Sequence, residues 1–249
     1  MNAGIVTKKS FMKYLLVLLF STFCFASFGQ QNIINDANAE VRNVTAFSGI
    51  KVSGGIDVWL SQGNDYALAV SATENKYRDN IRTEIRNGVL VIWYDSDNLK
   101  WNRGDKKLRA YISFKTLASL EASGACDLKI NGTLNAESLM LRLSGACDIT
   151  GALKVGNMNM DLSGASTVKI TGNVDNLKLK SSGASDVKNY DLVVENCVAK
   201  ISGASDIKIT ITNSISASAS GASSLNYKGN PEKKDVATSG ASSISQRNN

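Results

Sequence analysis

The sequence predicts an all-β chain wound into a right-handed, single-stranded parallel β-helix with coils of about 19 residues. Three observations predict it. The first is a tripeptide that recurs at Ser123-Gly124-Ala125, Ser144-Gly145-Ala146, Ser163-Gly164-Ala165, Ser182-Gly183-Ala184, Ser202-Gly203-Ala204, Ser220-Gly221-Ala222 and Ser239-Gly240-Ala241. Its glycines are 21, 19, 19, 20, 18 and 19 residues apart. The second is the alternation of apolar and polar residues between tripeptides, the pattern of a strand with one buried face. The third is composition: 249 residues that are 43% hydrophobic, with one Pro and no His, while Gly, Ser, Ala and Asn crowd the second half. Such a chain favours many short strands over packed helices.

Residues 1–29 read as a secretory signal peptide. Lys8, Lys9 and Lys13 form a basic start, Tyr14 to Phe25 an apolar stretch, and Ser27 and Gly29 the small positions before a cut at Gln30. Bulky Phe23 ahead of Cys24 fits lipoprotein processing poorly, so ordinary cleavage is favoured. Losing the three lysines takes the formal charge from +6 to +3. Lys and Asp then alternate along the chain without a basic stripe, which argues against nucleic acid as a partner. No transmembrane segment is expected in the mature chain.

Residues 30–117 form the diverged amino-terminal coils and cap. Val52-Ser53-Gly54-Gly55-Ile56-Asp57-Val58 echoes the repeat, so the solenoid begins here. Ile81 to Arg86 and Val89 to Tyr94 flank Asn87-Gly88, a strong two-residue hairpin signal. The hairpin or a short helical turn is expected to cap the first coil, because an exposed sheet edge invites aggregation.

Residues 118–249 form the regular coils. Six residues before the glycine stand Leu139, Met158, Leu177, Cys197 and Ile215; four before it, Leu141, Met160, Leu179, Ala199 and Ala217; two before it, Leu143, Leu162, Ser181, Ile201 and Ala219. Arg142, Asp161, Lys178, Lys180 and Lys200 lie between them and face water. Four residues after the glycine, Leu128, Ile149, Val168, Val187, Ile207, Leu225 and Ile244 repeat the inward pattern. A single coil buries too little apolar surface to offset its conformational entropy, and stacking coils in parallel about 4.8 Å apart supplies the missing contacts. Gly124, Gly145, Gly164, Gly183, Gly203, Gly221 and Gly240 are the corners, where a positive φ or a close backbone approach excludes a Cβ.

Asp127, Asp148, Asp186 and Asp206, three residues after the glycine, form an outward column interrupted by Thr167. Stacked carboxylates could hold Ca²⁺. Lys129, Lys169, Lys188 and Lys208, two residues further on, offset that repulsion instead, so neither metal nor cofactor is expected. Cys126 and Cys147 share a small, half-inward position that later coils fill with Ser, and Cys197 replaces a core Leu or Met. Free, packed thiols are expected, since parallel stacking holds the Cβ atoms of Cys126 and Cys147 too far apart for a good disulfide. Trp59, Trp93, Tyr94 and Trp101 cluster in the amino-terminal part, as a packed aromatic cap or as a sugar-stacking platform.

Phe47-Ser48-Gly49-Ile50-Lys51-Val52-Ser53-Gly54-Gly55-Ile56-Asp57-Val58, followed by the Ser-Gly-Ala-Ser-Asp series, resembles the head GIN domain family of auto-transporter adhesins, from about Val41 onward. The resemblance implies an exported bacterial protein of a kind common in Bacteroidetes, with a β-helical body and an adhesive role. The repeats themselves carry no histidine base and no serine beside a recognisable base. A non-enzymatic cell-envelope or surface protein is therefore expected, located in the periplasm, on the outer-membrane surface or outside the cell. A monomer is expected, with a glycan or a surface protein as partner. The alternative is a carbohydrate-active enzyme or glycan-binding module that uses the amino-terminal Trp-containing region.

Overall fold

Strands and corners follow the alternation in the sequence. The computed structural model describes residues 36–96 and 105–248, and among them one 16-stranded sheet winds into a β-solenoid of about 7 turns with coils of about 19 residues. The targeting segment 1–29 and Trp101 lie outside the described residues. First come β1 (Glu40–Arg42), β2 (Gly49–Ser53), β3 (Asp57–Gln62), β4 (Ala67–Ser71), helix α1 (Asn75–Arg78), β5 (Ile81–Arg86), β6 (Val89–Tyr94) and β7 (Arg109–Phe114). The repeats then form β8 (Ser119–Gly124), β9 (Asp127–Gly145), β10 (Asp148–Leu162), β11 (Thr167–Ser181), β12 (Asp186–Ile201) and β13 (Asp206–Ala219). Three shorter strands end the chain: β14 (Ser224–Lys228), β15 (Lys233–Thr238) and β16 (Ser243–Gln246).

From β9 to β13 each strand pairs in parallel with the next coil. Register stacks Leu139, Met158, Leu177, Cys197 and Ile215 in one column, and all five are buried. The columns through Leu141 and through Leu143 are buried in the same way, while Arg142, Lys178, Lys180 and Lys200 between them are exposed. Burying a Leu, Ile or Met contributes about 1.5–3 kcal/mol relative to leaving it in water, and the stack repeats that gain at every coil.

The corner explains the invariant tripeptide. Gly183 sits at φ +89, and a Cβ there would lie 2.5 Å from the carbonyl oxygen of Gly164 in the coil below. Both reasons for glycine therefore apply at once. The following alanine N–H donates to the glycine carbonyl of the previous coil, as in Ala184 to Gly164 and Ala204 to Gly183, each at 2.7 Å. The next residue turns inward and ties the corner to itself: Ser223 Oγ donates to the Ser220 carbonyl at 2.9 Å, and Cys147 Sγ to the Ser144 carbonyl at 3.2 Å. That position is fully inward rather than half-inward, since Cys126, Cys147, Ser166, Ser185, Ser205 and Ser223 are all buried. A small hydroxyl or thiol there satisfies a carbonyl that the bend leaves unpaired.

The amino-terminal coils do not stack in chain order. β2 and β3 form a coil whose corner, Ser53-Gly54-Gly55, matches the repeat, but it lies between two neighbours. On one side are β8 and β9; on the other are β6, which pairs β2, and β7, which pairs β3. The chain thus leaves the first coil, builds an outer layer, and returns across the stack. Antiparallel strands complete that layer, with β5 against β6 and β4 against β7, then β1 against β4. Asn87 and Gly88 join β5 to β6 with φ of +50 and +75, as a mirror-image two-residue turn requires. The outermost strand on the β4 side, β1, has only 3 residues, which limits the edge available for pairing.

Candidate functional site

The Asp and Lys columns share one outward face with Trp59. Register places Asp57 above Asp127, which pairs with Asp148, so the acidic column begins one coil earlier than the regular repeats. Burial and then the carboxylate of Asp127 raise the pKa of Asp57, ahead of the opposing pull of Arg109 and Lys129. In later coils the lysines answer the aspartates within their own strand: Lys188 Nζ lies 2.8 Å from Asp186 and Lys208 Nζ 2.9 Å from Asp206. Asp206 also accepts from Ser224 and Asn226, which together with Lys208 pull its pKa down against the effect of burial. Among the described residues, no group of three or more His, Cys, Asp or Glu side chains is placed to hold a metal ion.

The aromatic residues are divided. Trp59 on β3 stacks on Tyr111 of β7 with centroids 5.1 Å apart, and Lys129 Nζ lies 5.4 Å from its centroid in the coil on the opposite side. Both ring faces are therefore engaged within the protein. Trp93 and Tyr94 stand on β6, across the corner from β3, where Tyr94 packs on Gly54 and Lys106 lies 4.6 Å from its ring centroid. Burial, Tyr77 and Asp95 raise the pKa of Tyr94. Trp59 thus stands apart from Trp93 on β6 and from Tyr94, which packs against the core.

Two features on the strand segments that precede the glycine corners lie outside the set singled out by sequence. Three residues before the glycine, charges alternate from coil to coil through Lys51, Glu121, Arg142 and Asp161. Lys51 lies 3.7 Å from Glu121, which Arg142 meets at 3.0 Å, and Arg142 reaches Asp161 at 3.7 Å. The alternation ends where Lys180 and Lys200 follow one another. A groove of about 510 Å³ opens there, lined by Arg142, Asp161, Lys180 and Lys200 and by Ser163, Ser182, Ser202 and Ser220. Seven residues before the glycine an asparagine ladder runs along the solenoid, Asn176 donating to Asn157 at 3.1 Å and Asn196 to Asn176 at 3.2 Å. Aligning the coils at those two positions exposes both features in the sequence.

A shallower depression of about 400 Å³ contains Glu137 and Asp175, one on each side of Gly156. Both carboxylates are exposed, without the apolar enclosure in which a carboxyl group becomes a general acid. The three described cysteines are free and buried. Burial pushes the Cys197 thiol up to about 12, and the hydrogen bond with Cys126, together with burial, pushes Cys147 up.

A "putative adhesin" from Bacteroides fragilis superimposes with a TM-score of 0.77 at 24% identity, covering 84% of this chain and 96% of that one. A "putative lipid binding protein" from Parabacteroides distasonis gives 0.64 at 18% identity over 85% and 98% of the two chains. A "putative adhesin" from Parabacteroides merdae gives 0.61 at 18% over 84% and 95%. At these identities the likeness shows the fold. No curated protein matches the chain. The family model described as "Putative auto-transporter adhesin, head GIN domain" matches residues 46–231, a span that takes in the Gly54 corner and the tripeptide corners through Gly221, and the chain belongs to that family.

Proposed function

We propose that this chain is a non-enzymatic, exported cell-envelope or surface protein that presents rigid β-helical faces for adhesion or assembly. The observation that carries the reading is the set of outward columns of charged and polar side chains, fixed coil by coil on a continuous buried core. Solenoids use such extended surfaces to bind partners. The family and its adhesin-named relatives support the reading. The proposal includes a signal peptide over residues 1–29, an amino-terminal cap over 30–117, regular coils over 118–249 and a monomeric state. A glycan or a surface protein is the partner class. The enclosure of Trp59 between Tyr111 and Lys129 weighs against that ring as a sugar-stacking platform.

The test is cellular. Cells producing the chain are compared with cells lacking it for adhesion to glycan- and protein-coated surfaces, with fractionation and protease treatment of intact cells to locate it. Recovery outside the cytoplasm together with chain-dependent adhesion is expected. Retention in the cytoplasm, or polysaccharide turnover by the purified chain, would overturn the reading.

A further inference from the structure

We propose that the groove over Arg142, Asp161, Lys180 and Lys200 is a binding site for an acidic polysaccharide, a chain carrying both hydroxyl and carboxylate or sulfate groups. This deepens the adhesive reading and rests on it. In a parallel stack, side chains at one repeat position stand about 4.8 Å apart, so like charges in successive coils repel unless the column alternates or a ligand neutralises them. The column alternates from Lys51 to Lys180, which stands beside Asp161 in register, and Arg142 joins Glu121 to Asp161 through ion pairs. Lys180 and Lys200 then stand side by side in register and exposed, and no ion pair within the described residues engages either one. Lys178 adds a third exposed cation one outward position before Lys180. The positive surplus lies where the groove opens.

Serine hydroxyls line the same groove. Ser163 Oγ donates to the Leu143 carbonyl at 3.3 Å, Ser202 Oγ to the Ser181 carbonyl at 3.3 Å, and Ser220 Oγ to the Ile201 carbonyl at 3.5 Å. At these lengths the backbone bonds are weak, and each hydroxyl can meet a ligand in the groove as donor or acceptor. The lining thus presents cations for anionic groups and a row of serine hydroxyls for the hydroxyls of a ligand. A phosphate polymer without hydroxyls uses only the first set, whereas an acidic glycan uses both. Four serine rows extend about 14 Å along the solenoid axis, a length that suits a chain of a few sugar units rather than a single ion. Val198, beside Lys178 in register and 48% exposed, offers an apolar contact for the C–H face of a sugar ring.

Binding of the purified full chain is measured by calorimetry with three oligosaccharides: oligomannuronate, sulfated dextran and neutral dextran. Inorganic polyphosphate and phosphatidylglycerol vesicles serve as non-glycan polyanions. Lys200→Glu is the chosen variant because it continues the alternation of the column and so should fold without loss of thermal stability. Expected are salt-sensitive binding of oligomannuronate or sulfated dextran, absence of binding to neutral dextran, and weakening of about tenfold by Lys200→Glu. The matching change after the glycine corner, Lys169→Glu, lies outside the groove lining and should leave affinity unchanged. The arms with oligomannuronate and sulfated dextran tell carboxylate from sulfate. Equal affinity for polyphosphate or for the vesicles, or undiminished glycan binding by folded Lys200→Glu, overturns the groove assignment. That failure is separable from the failure of the adhesive reading, which is decided by where the chain is found and whether cells adhere through it.

Discussion

At the scale of single residues, the corner glycine is the least replaceable group. Gly183→Ala puts a Cβ against the Gly164 carbonyl at φ +89, combining left-handed strain with a backbone clash, and should cost about 3 kcal/mol or more. Gly88→Ala has φ +75 but open space around it, so only the conformational penalty of about 1 kcal/mol applies. Urea midpoints of the two variants test this, and equal losses would refute the role given to close stacking. Two aspartates should respond to pH with opposite signs. Asp36 is partly desolvated, which raises its pKa, but hydrogen bonds from Tyr111, the Asn38 N–H and Arg109 outweigh that and hold it low. Its stabilisation is complete above the unfolded value of about 3.9 and disappears as pH falls through the lower folded value. Asp57 is raised, so its ionised form costs stability above the folded pKa, and acidification toward 4 relieves that cost. At pH 7 Asp57→Asn should therefore raise the thermal midpoint and Asp36→Asn lower it. At a pH below both folded values these charge contributions vanish. A fall on Asp57→Asn at pH 7 would contradict the crowding of Asp57 by Asp127.

At the scale of elements, the period-two pattern of β11 makes neighbouring residues respond very differently. Leu179 is 1% exposed and Lys178 beside it is open to solvent. Leu179→Asp buries an unpaired charge and should abolish cooperative folding, whereas Lys178→Asp should change stability by about 0.5 kcal/mol or less. Thermal melts decide it, and similar midpoints would mean that the inward column is misassigned. The amino-terminal hairpin shows how local chemistry can fix an element without fixing its place. Asn87-Gly88 dictates the turn between β5 and β6, but the pairing of β6 with β2 depends on contacts about 40 residues apart in sequence.

For the whole molecule, the core thins toward the carboxy terminus. Leu139, Leu141 and Leu143 give way to Ile215, Ala217 and Ala219, and the strand stacked on them, β15, is exposed along its whole length with Val236 47% exposed. Less apolar area holds those coils against their conformational entropy. Lys233, Lys234 and Asp235 place charge on this strand, which discourages end-to-end pairing of solenoids. Hydrogen exchange should find the amides of residues 139–143 protected about a hundredfold longer or more than those of residues 215–219. Uniform protection would mean that a partner covers the thin end.

The coil, its period, the inward columns, the glycine corners and the Asn87-Gly88 turn are all legible in the residues, because each depends on alternation or backbone freedom within one repeat. Membership of the Lys180 and Lys200 column was equally legible there, as was that of the Asp column. The stacking order of β2, β6 and β8, the separation of Trp59 from Trp93 and Tyr94, and the choice of which lysines find a carboxylate arise in the folded stack. Lys188 and Lys208 reach aspartates two residues away in their own strands, while Lys180 faces Lys200 across a coil boundary. Those outcomes depend on which strands become neighbours and on how far side chains reach between them. Alternation sets inside from outside along one strand, whereas partners across strands are chosen by the packing of the whole stack.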